Sequence, residues 1–165
     1  MYEEYPAEYW DLYAVIPSEN YEIGAARNKY AAPRKTAEMA MRYFDKIHPV
    51  LDIGAGTGLA GEILASKGYV VDGVDFSKGM LLQARHKGYR RLFCEDIRNP
   101  NISNAKTIYK SFISTGVYGD YIKINELEKM CAFLDEDGIV ALSGRAVNPV
   151  SYTHLRAHET SLHLV

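Results

Sequence analysis

Glycines at alternate positions, Gly54, Gly56 and Gly58, follow directly on the apolar run of residues 50–53, and a carboxylate, Asp52, sits inside that run. A second acid, Asp75, closes the next apolar run 21 positions beyond Gly54, and a third, Asp96, closes the one after that. Glycine reaches positive φ at no steric cost and lets a ligand approach backbone that a Cβ would screen. A helix that begins after such a turn adds unpaired N–H groups. An acid at the tip of the second strand is placed to accept hydrogen bonds from the two hydroxyls of a ribose. Asp96 is placed to accept from the exocyclic amine of a base, with the Ile97 N–H against a ring nitrogen. Together these residues predict a nucleoside-binding cleft. The plainer reading of Asp75 and Asp96 is that each caps a loop, as Asp commonly does in turns.

Two kinds of cofactor compete for such a loop. A dinucleotide requires G-x-G-x-x-G beginning at the strand end. Counted from Gly54, the sixth position is Leu59; the run Gly56-Thr57-Gly58-Leu59-Ala60-Gly61 fits the spacing but starts two residues late. Asp52 discriminates further, because a carboxylate beside the loop repels a pyrophosphate and attracts the ammonium of an amino-acid tail. S-adenosylmethionine carries that ammonium and a sulfonium, and no phosphate. It is therefore the expected cofactor. An NAD(P)-binding oxidoreductase is the alternative, and a non-catalytic S-adenosylmethionine-binding fragment is a third reading. Asp75 supports a nucleoside without choosing between the first two.

The elements that must position these residues are legible in the hydrophobic pattern. Residues 1–34 hold six tyrosines with Pro6, Pro17 and Pro33 among them, and read as an irregular or short-helical cap in which Tyr13 and Tyr21 are candidates for a pocket lid. From Thr36, a stripe of Ala40, Tyr43, Phe44 and Ile47 predicts a helix, ended by Pro49. Strands are expected at 50–53, 69–74, 92–94, 112–114 and 139–142. Helices are expected at 59–67, closed by Gly68, and at 78–86, capped by Ser77 and closed by Gly88. A further helix capped by Asn125 places Leu127, Met130, Cys131 and Leu134 on one face, and residues 135–138 form a turn. Alternation of apolar strands with helices predicts an α/β domain, a Rossmann-like three-layer sandwich on a parallel sheet of about five strands in the order 3-2-1-4-5.

The string V-L-D-I-G-A-G-T-G at 50–58, the run Gly73-Val74-Asp75-Phe76-Ser77 with Met80, and Cys94-Glu95-Asp96-Ile97 resemble the successive motifs of class I S-adenosylmethionine-dependent methyltransferases. Residues 61–64, 114–123 and 141–145 resemble more narrowly the Williams–Beuren syndrome chromosome region methyltransferase-like group. The likeness spans roughly residues 10–150. It implies methyl transfer to a small-molecule or protein acceptor, with Asp52 and the glycines Gly54, Gly56 and Gly58 on the methionine part, Asp75 on the ribose, Asp96 and Ile97 on the adenine, and Ala55, Phe76, Met80 and Ser114 as further cofactor-binding residues. It also implies a seven-stranded sheet. The chain departs from the family where an aromatic–Asp pair usually enters strand four, since Tyr109 is followed here by Lys110. It ends after the fifth predicted strand, which predicts a C-terminally truncated sheet with an apolar edge.

Methyl transfer needs position and exclusion of water more than a fixed catalytic set. The acceptor is expected over the loop after strand four, where Ser114, Thr115, Tyr118, Asp120 and Tyr121 supply polar groups and Asp120 is the candidate base; a purely structural turn at 116–120 is the other reading. A net charge of −2 gives no reason to expect nucleic acid, and no apolar run approaches the roughly 20 residues that span a bilayer. Cys94 and Cys131 form no C-x-x-C pair and read as buried reduced thiols of a cytoplasmic protein. Residues 151–165 carry His154, His158 and His163 without a further ligand type, so no metal is expected, and they read as a non-native or disordered tail beyond a 1–150 cofactor-binding domain.

Overall fold

The computed structural model describes residues 6–15, 21–98, 109–118, 126, 129, 131 and 133–144. The two cap helices, α1 (Ala7–Val15) and α2 (Tyr21–Arg27), precede α3 (Ala32–Ala40). Then follow β1 (Val50–Ile53), α4 (Leu59–Ser66), β2 (Val71–Asp75), α5 (Lys78–Ala84), β3 (Arg91–Cys94), β4 (Tyr109–Tyr118) and β5 (Leu134–Gly144). The five strands form one sheet in the order β3-β2-β1-β4-β5, every neighbouring pair parallel, as the alternating pattern requires. The Rossmann-like fold is the expected one.

β1 and β2 are buried at every position because both faces of the sheet are covered. Val50, Val71, Ile113 and Ala141 pack with Ala37 and Ala40 of α3 and Ala60 and Leu64 of α4. Leu51, Ile53, Val74, Phe112, Val140 and Leu142 face the other way, onto Ile97, Cys131 and Phe133. By the two-residue period of a strand, Asp52 shares the face of Val50 and lies under α4.

Several boundaries differ from expectation for physical reasons. The first core helix starts early, with Pro33 in its first turn, and ends at Ala40. The Asp45 carboxylate accepts the Ile47 and His48 amides at 2.8 and 2.9 Å, a local bond that competes with the helix. Tyr43 and Ile47 are consequently exposed, Ile47 at 86%, and only Ala40 and Phe44 of the expected stripe are buried. β4 is ten residues long, running from Tyr109 through Gly116 to Tyr118, so residues 116–118 of the alternative turn reading are strand, and residues 119 and 120 lie outside the described residues. Leu134 lies in β5, paired with Tyr109, rather than on a helix face. The expected turn at 135–138 appears as a slip in the β4–β5 register between Tyr109 and Ser111. Cys131 is buried as expected, but Cys94 is exposed, because it ends the outer strand β3. Asp120, Tyr121, Asn125 and residues 151–165 with their histidines lie outside the described residues. Among those described, no helix is long and apolar enough to cross a membrane.

At the start of the strands, away from the glycine loop, Asp72 is fully buried and accepts from Arg90, Arg91 and the Tyr109 hydroxyl. The Arg90 contact is two-pronged, at 2.9 and 2.6 Å. Burial works against the carboxylate, but these donors outweigh it and hold its pKa below the usual value. The cluster joins β2, the entry to β3 and the first residue of β4. Asp72→Asn is expected to cost about 1–3 kcal/mol in urea unfolding, since the two half-exposed guanidiniums regain water but the buried Tyr109 hydroxyl exchanges a charged acceptor for a neutral amide oxygen. The Arg90→Ala/Arg91→Ala double variant strands the carboxylate itself and should cost more, about 3–5 kcal/mol. The opposite ranking would contradict this account of the cluster.

Candidate functional site

The site grows from the adjacent ends of β1 and β2. Ile53 pairs with Val74, and the chain then folds back over β2. The Gly54 and Ala55 amides both donate to the Val74 carbonyl, at 2.9 and 3.0 Å, and the Gly56 amide donates to Oδ2 of Asp75 at 2.8 Å. The other Asp75 oxygen accepts the Ser77 amide at 2.9 Å. Asp75 thus stitches the glycine loop to the start of α5. The Ser77 hydroxyl caps that helix by accepting the Met80 amide at 3.1 Å, as expected.

Gly54, Gly56 and Gly58 all have positive φ, but their surroundings differ. A Cβ at Gly54 would collide with the Val117 side chain of β4, and one at Gly58 would lie 2.9 Å from the Tyr89 ring. At Gly56, where φ is +53°, a Cβ would meet nothing within 4 Å. The loop therefore presents backbone to open space at Gly56, while its outer glycines make room for protein. Gly61, which completes the late G-x-G-x-x-G spacing, likewise gives way to the Tyr89 ring. Its smallness is explained without a pyrophosphate.

Loop, α4, the end of β4 and the cap surround a solvent-open cleft of about 310 Å³. Its walls include Asp52, Gly54, Ala55, Gly56, Thr57 and Thr115, with Tyr21, Tyr30 and Pro33 from the cap side. Tyr21 is where a lid residue was expected. Tyr13 instead packs against Trp10 and Tyr21, ring centroids 5.9 and 6.1 Å away. Asp75 adjoins the cleft through its bond to Gly56 rather than forming its wall.

The remaining expected cofactor residues do not line this cleft. Asp96 is held by its neighbour Arg98, whose guanidinium contacts both carboxylate oxygens at 2.8–3.2 Å and keeps the acid below its usual pKa. Ile97 and Met80 are buried, Ile97 within the main core. The Phe76 carbonyl receives the Cys94 thiol at 3.7 Å. The Ser114 hydroxyl donates to the Ile53 carbonyl at 2.9 Å, tying β4 to β1.

Two contacts were not foreseen, and two hydroxyls in segments already singled out are left without partners among the described residues. The Tyr89 hydroxyl donates to Oδ2 of Asp52 at 2.5 Å. Asp11 of α1 accepts from the Ser77 hydroxyl at 2.7 Å and the Gly79 amide at 2.6 Å, which docks the cap on α5. Thr57 and Thr115 bury hydroxyl oxygens that find no partner among the described residues, and both line the cleft. No pattern in the sequence marks the contacts of Tyr89 and Asp11, because each crosses a distance that the chain closes only on folding.

The electrostatics are those of buried anions without a cation. Burial pushes the Asp52 carboxyl up to about 7; the Tyr89 hydrogen bond opposes this and the charge of Asp75 adds to it. Burial likewise pushes Asp75 up to about 6, against the Ser77 and Gly56 amides. Among the described residues no Lys, Arg or His lines the cleft. A site with two destabilised carboxylates, two unpaired hydroxyls and bare backbone at Gly56 fits a ligand with a positively charged, hydrogen-bonding tail, and disfavours a phosphate.

Residues 50–136 match the sequence profile of a family described as a methyltransferase domain. Among solved structures, the plantazolicin methyltransferase BpumL, in complex with SAH, superposes with TM-score 0.59 at 19% identity, over 84% of this chain and 56% of its own. CalS10, an amino pentose methyltransferase from Micromonospora echinaspora solved with SAM bound, gives 0.61 at 22% identity, over 76% and 56%. A TehB-like SAM-dependent methyltransferase from Corynebacterium glutamicum gives 0.55 at 23%, over 71% and 68%. The chain thus spans little more than half the length of two of these neighbours. At such identities the likeness speaks for the fold. A comparison with curated protein sequences returns no match.

The two raised carboxyls set the sign of a pH effect. An acid that binds protons more tightly folded than unfolded gives stability that is complete below about pH 4 and is lost as pH rises through 6–7. Asp52→Asn removes one such group. Relative to the wild type it should gain roughly 2–3 kcal/mol between pH 5 and pH 8, read from urea midpoints of the ligand-free protein. An equal difference at both pH values would refute the burial of Asp52 as an acid.

Proposed function

The chain belongs to the methyltransferase-domain family, and from that premise we propose that it is an S-adenosylmethionine-dependent methyltransferase whose cofactor tail lies on the glycine loop. The observation that carries this reading is the buried, unneutralised Asp52 beside bare backbone at Gly56. When bound, the cofactor supplies an activated methyl group. The residues of this chain would bind and orient it: Asp52, Gly54, Ala55, Gly56 and Gly58 about the amino-acid tail, Asp75 with Phe76 and Met80 about the ribose, and Asp96, Ile97 and Ser114 toward the base. The carboxylate oxygens of Asp75 keep acceptor capacity beyond the two amides they already hold. The neighbours named for plantazolicin and for an amino pentose support a small-molecule or peptide acceptor.

On this reading the cap closes the cleft. Tyr21 and Tyr30 roof the loop and exclude water from the transfer, with Asp11 anchoring α1 on the N-terminus of α5. Asp120 remains the proposed base for an acceptor that must lose a proton. Residues 1–150 are proposed as the cofactor-binding domain, and the two free cysteines fit a cytoplasmic setting. The narrower Williams–Beuren-like assignment rests on the sequence motifs alone.

Isothermal titration with S-adenosylhomocysteine (SAH) and with NADH tests the cofactor. SAH should bind and NADH should not; binding of NADH alone would reverse the assignment. Gly56→Ala adds a side chain where the protein leaves space. It should cost about 1–2 kcal/mol in stability for its left-handed backbone and weaken SAH binding by at least about tenfold. Unchanged affinity would place the ligand elsewhere.

A further inference from the structure

Tyr89 lies outside every motif that suggested the cofactor, yet three separate elements are shaped around it. The residue follows the glycine that ends the α5 segment, and its ring enters between α4 and β2. A Cβ at Gly58 would lie 2.9 Å from its Cε2, one at Gly61 2.7 Å from its Cε1, and one at Gly73 2.8 Å from the same atom. Glycine loses more conformational freedom on folding than alanine and is unfavourable inside a helix or a strand. Gly61 in α4 and Gly73 in β2 therefore carry a local cost whose structural return is the slot for this one ring. At the end of the slot the hydroxyl reaches Oδ2 of Asp52 at 2.5 Å.

We infer that Tyr89 is a positioning residue for the binding of a cationic ligand tail: its hydroxyl holds the Asp52 carboxylate charged and in place at the wall of the cleft. The inference deepens the cofactor reading above and rests on it for the identity of the cation. A neutral O–H donating to a carboxylate makes a charge-assisted bond and favours the ionised acid. The groups facing Asp52 leave that task to Tyr89. From β2 comes Asp75, whose negative charge disfavours ionisation, and from the first turn of α4 comes the Gly61 amide, which favours it more weakly than the Tyr89 hydroxyl. Glu62 of α4 is half-exposed and directed to Lys87, which also pairs with Glu22 of α2. From the cap, Tyr21 and Tyr30 line the same cleft. From β4, the register neighbour is the apolar Ile113. Burial and the hydrogen bond to Asp52 push the Tyr89 hydroxyl well above its usual pKa, so it stays a donor across the physiological range.

Tyr89→Phe separates the two roles of the side chain, since it keeps the ring in its slot and removes only the donor. Asp-selective ¹³C labelling of the ligand-free full chain follows the Asp52 carboxyl, identified by its absence in Asp52→Asn. Its titration midpoint should rise by about one to two units in Tyr89→Phe, the equivalent of losing a hydrogen bond to a charged group. SAH affinity at pH 7 should fall about tenfold or more, and the loss should shrink at higher pH as Asp52 ionises again. In an Asp52→Asn background, Tyr89→Phe should change SAH affinity little. A purely structural tyrosine would lower the melting temperature but move neither the midpoint nor the pH dependence, and that result overturns the inference. An equal affinity loss with and without Asp52 overturns it as well. Failure of the wild type to bind SAH refutes the cofactor reading instead, and the Asp52 midpoint still decides the role of Tyr89.

Discussion

A carboxylate buried at the tip of a central strand constrains everything around it. Asp52 is 1% exposed, with a second buried acid, Asp75, on the adjacent strand. Removing an ion from water is costly unless donors or opposite charge replace the solvent. The protein supplies one hydroxyl and the first turn of a helix, and no basic side chain among the described residues at the cleft. The charge of Asp52 is thereby left only partly compensated. A cation arriving at the cleft relieves an electrostatic strain already present, whereas a phosphate would add to it.

The other strained acid in the molecule shows the contrast. Asp72 lies on the neighbouring strand β2, also shielded from solvent, and receives two guanidiniums and a tyrosine hydroxyl. Its pKa is lowered where that of Asp52 is raised, although burial acts on both. At one end of the sheet the charge is answered within the protein, and the acid serves as a joint between strands. At the other end no basic side chain among the described residues answers it, and the acid borders the cleft. The donors that each acid receives set the two apart.

The glycines divide the same way. Five of them, Gly54, Gly56, Gly58, Gly61 and Gly73, cluster about the loop, yet only Gly56 faces open space. The rest exist because Val117 or Tyr89 comes too close for a Cβ. A glycine-rich stretch that looks wholly devoted to a ligand is therefore mostly a packing solution that holds one exposed peptide in position. The cap adds the opposite wall, fixed by Asp11 at the N-terminus of α5, where a negative charge also meets the positive end of the helix.

Strand order, the parallel sheet, the Ser77 cap and the position of the glycine loop were legible in the chain because each follows from local residue type and period. Apolar runs alternating with helical stripes leave few topologies. The acids at strand ends could be recognised, but not their environments. Whether Leu134 joined a helix or β5, and whether Cys94 lay inside or at an edge, depended on neighbours distant in sequence. Tyr89 on Asp52 and Asp11 on Ser77 are contacts across 37 and 66 positions. The sequence determined which groups stand at the cleft, since backbone periodicity is a local property. Only the tertiary structure decided which of them are charged, paired or open, because burial and hydrogen-bond partnership are set by what the fold brings alongside.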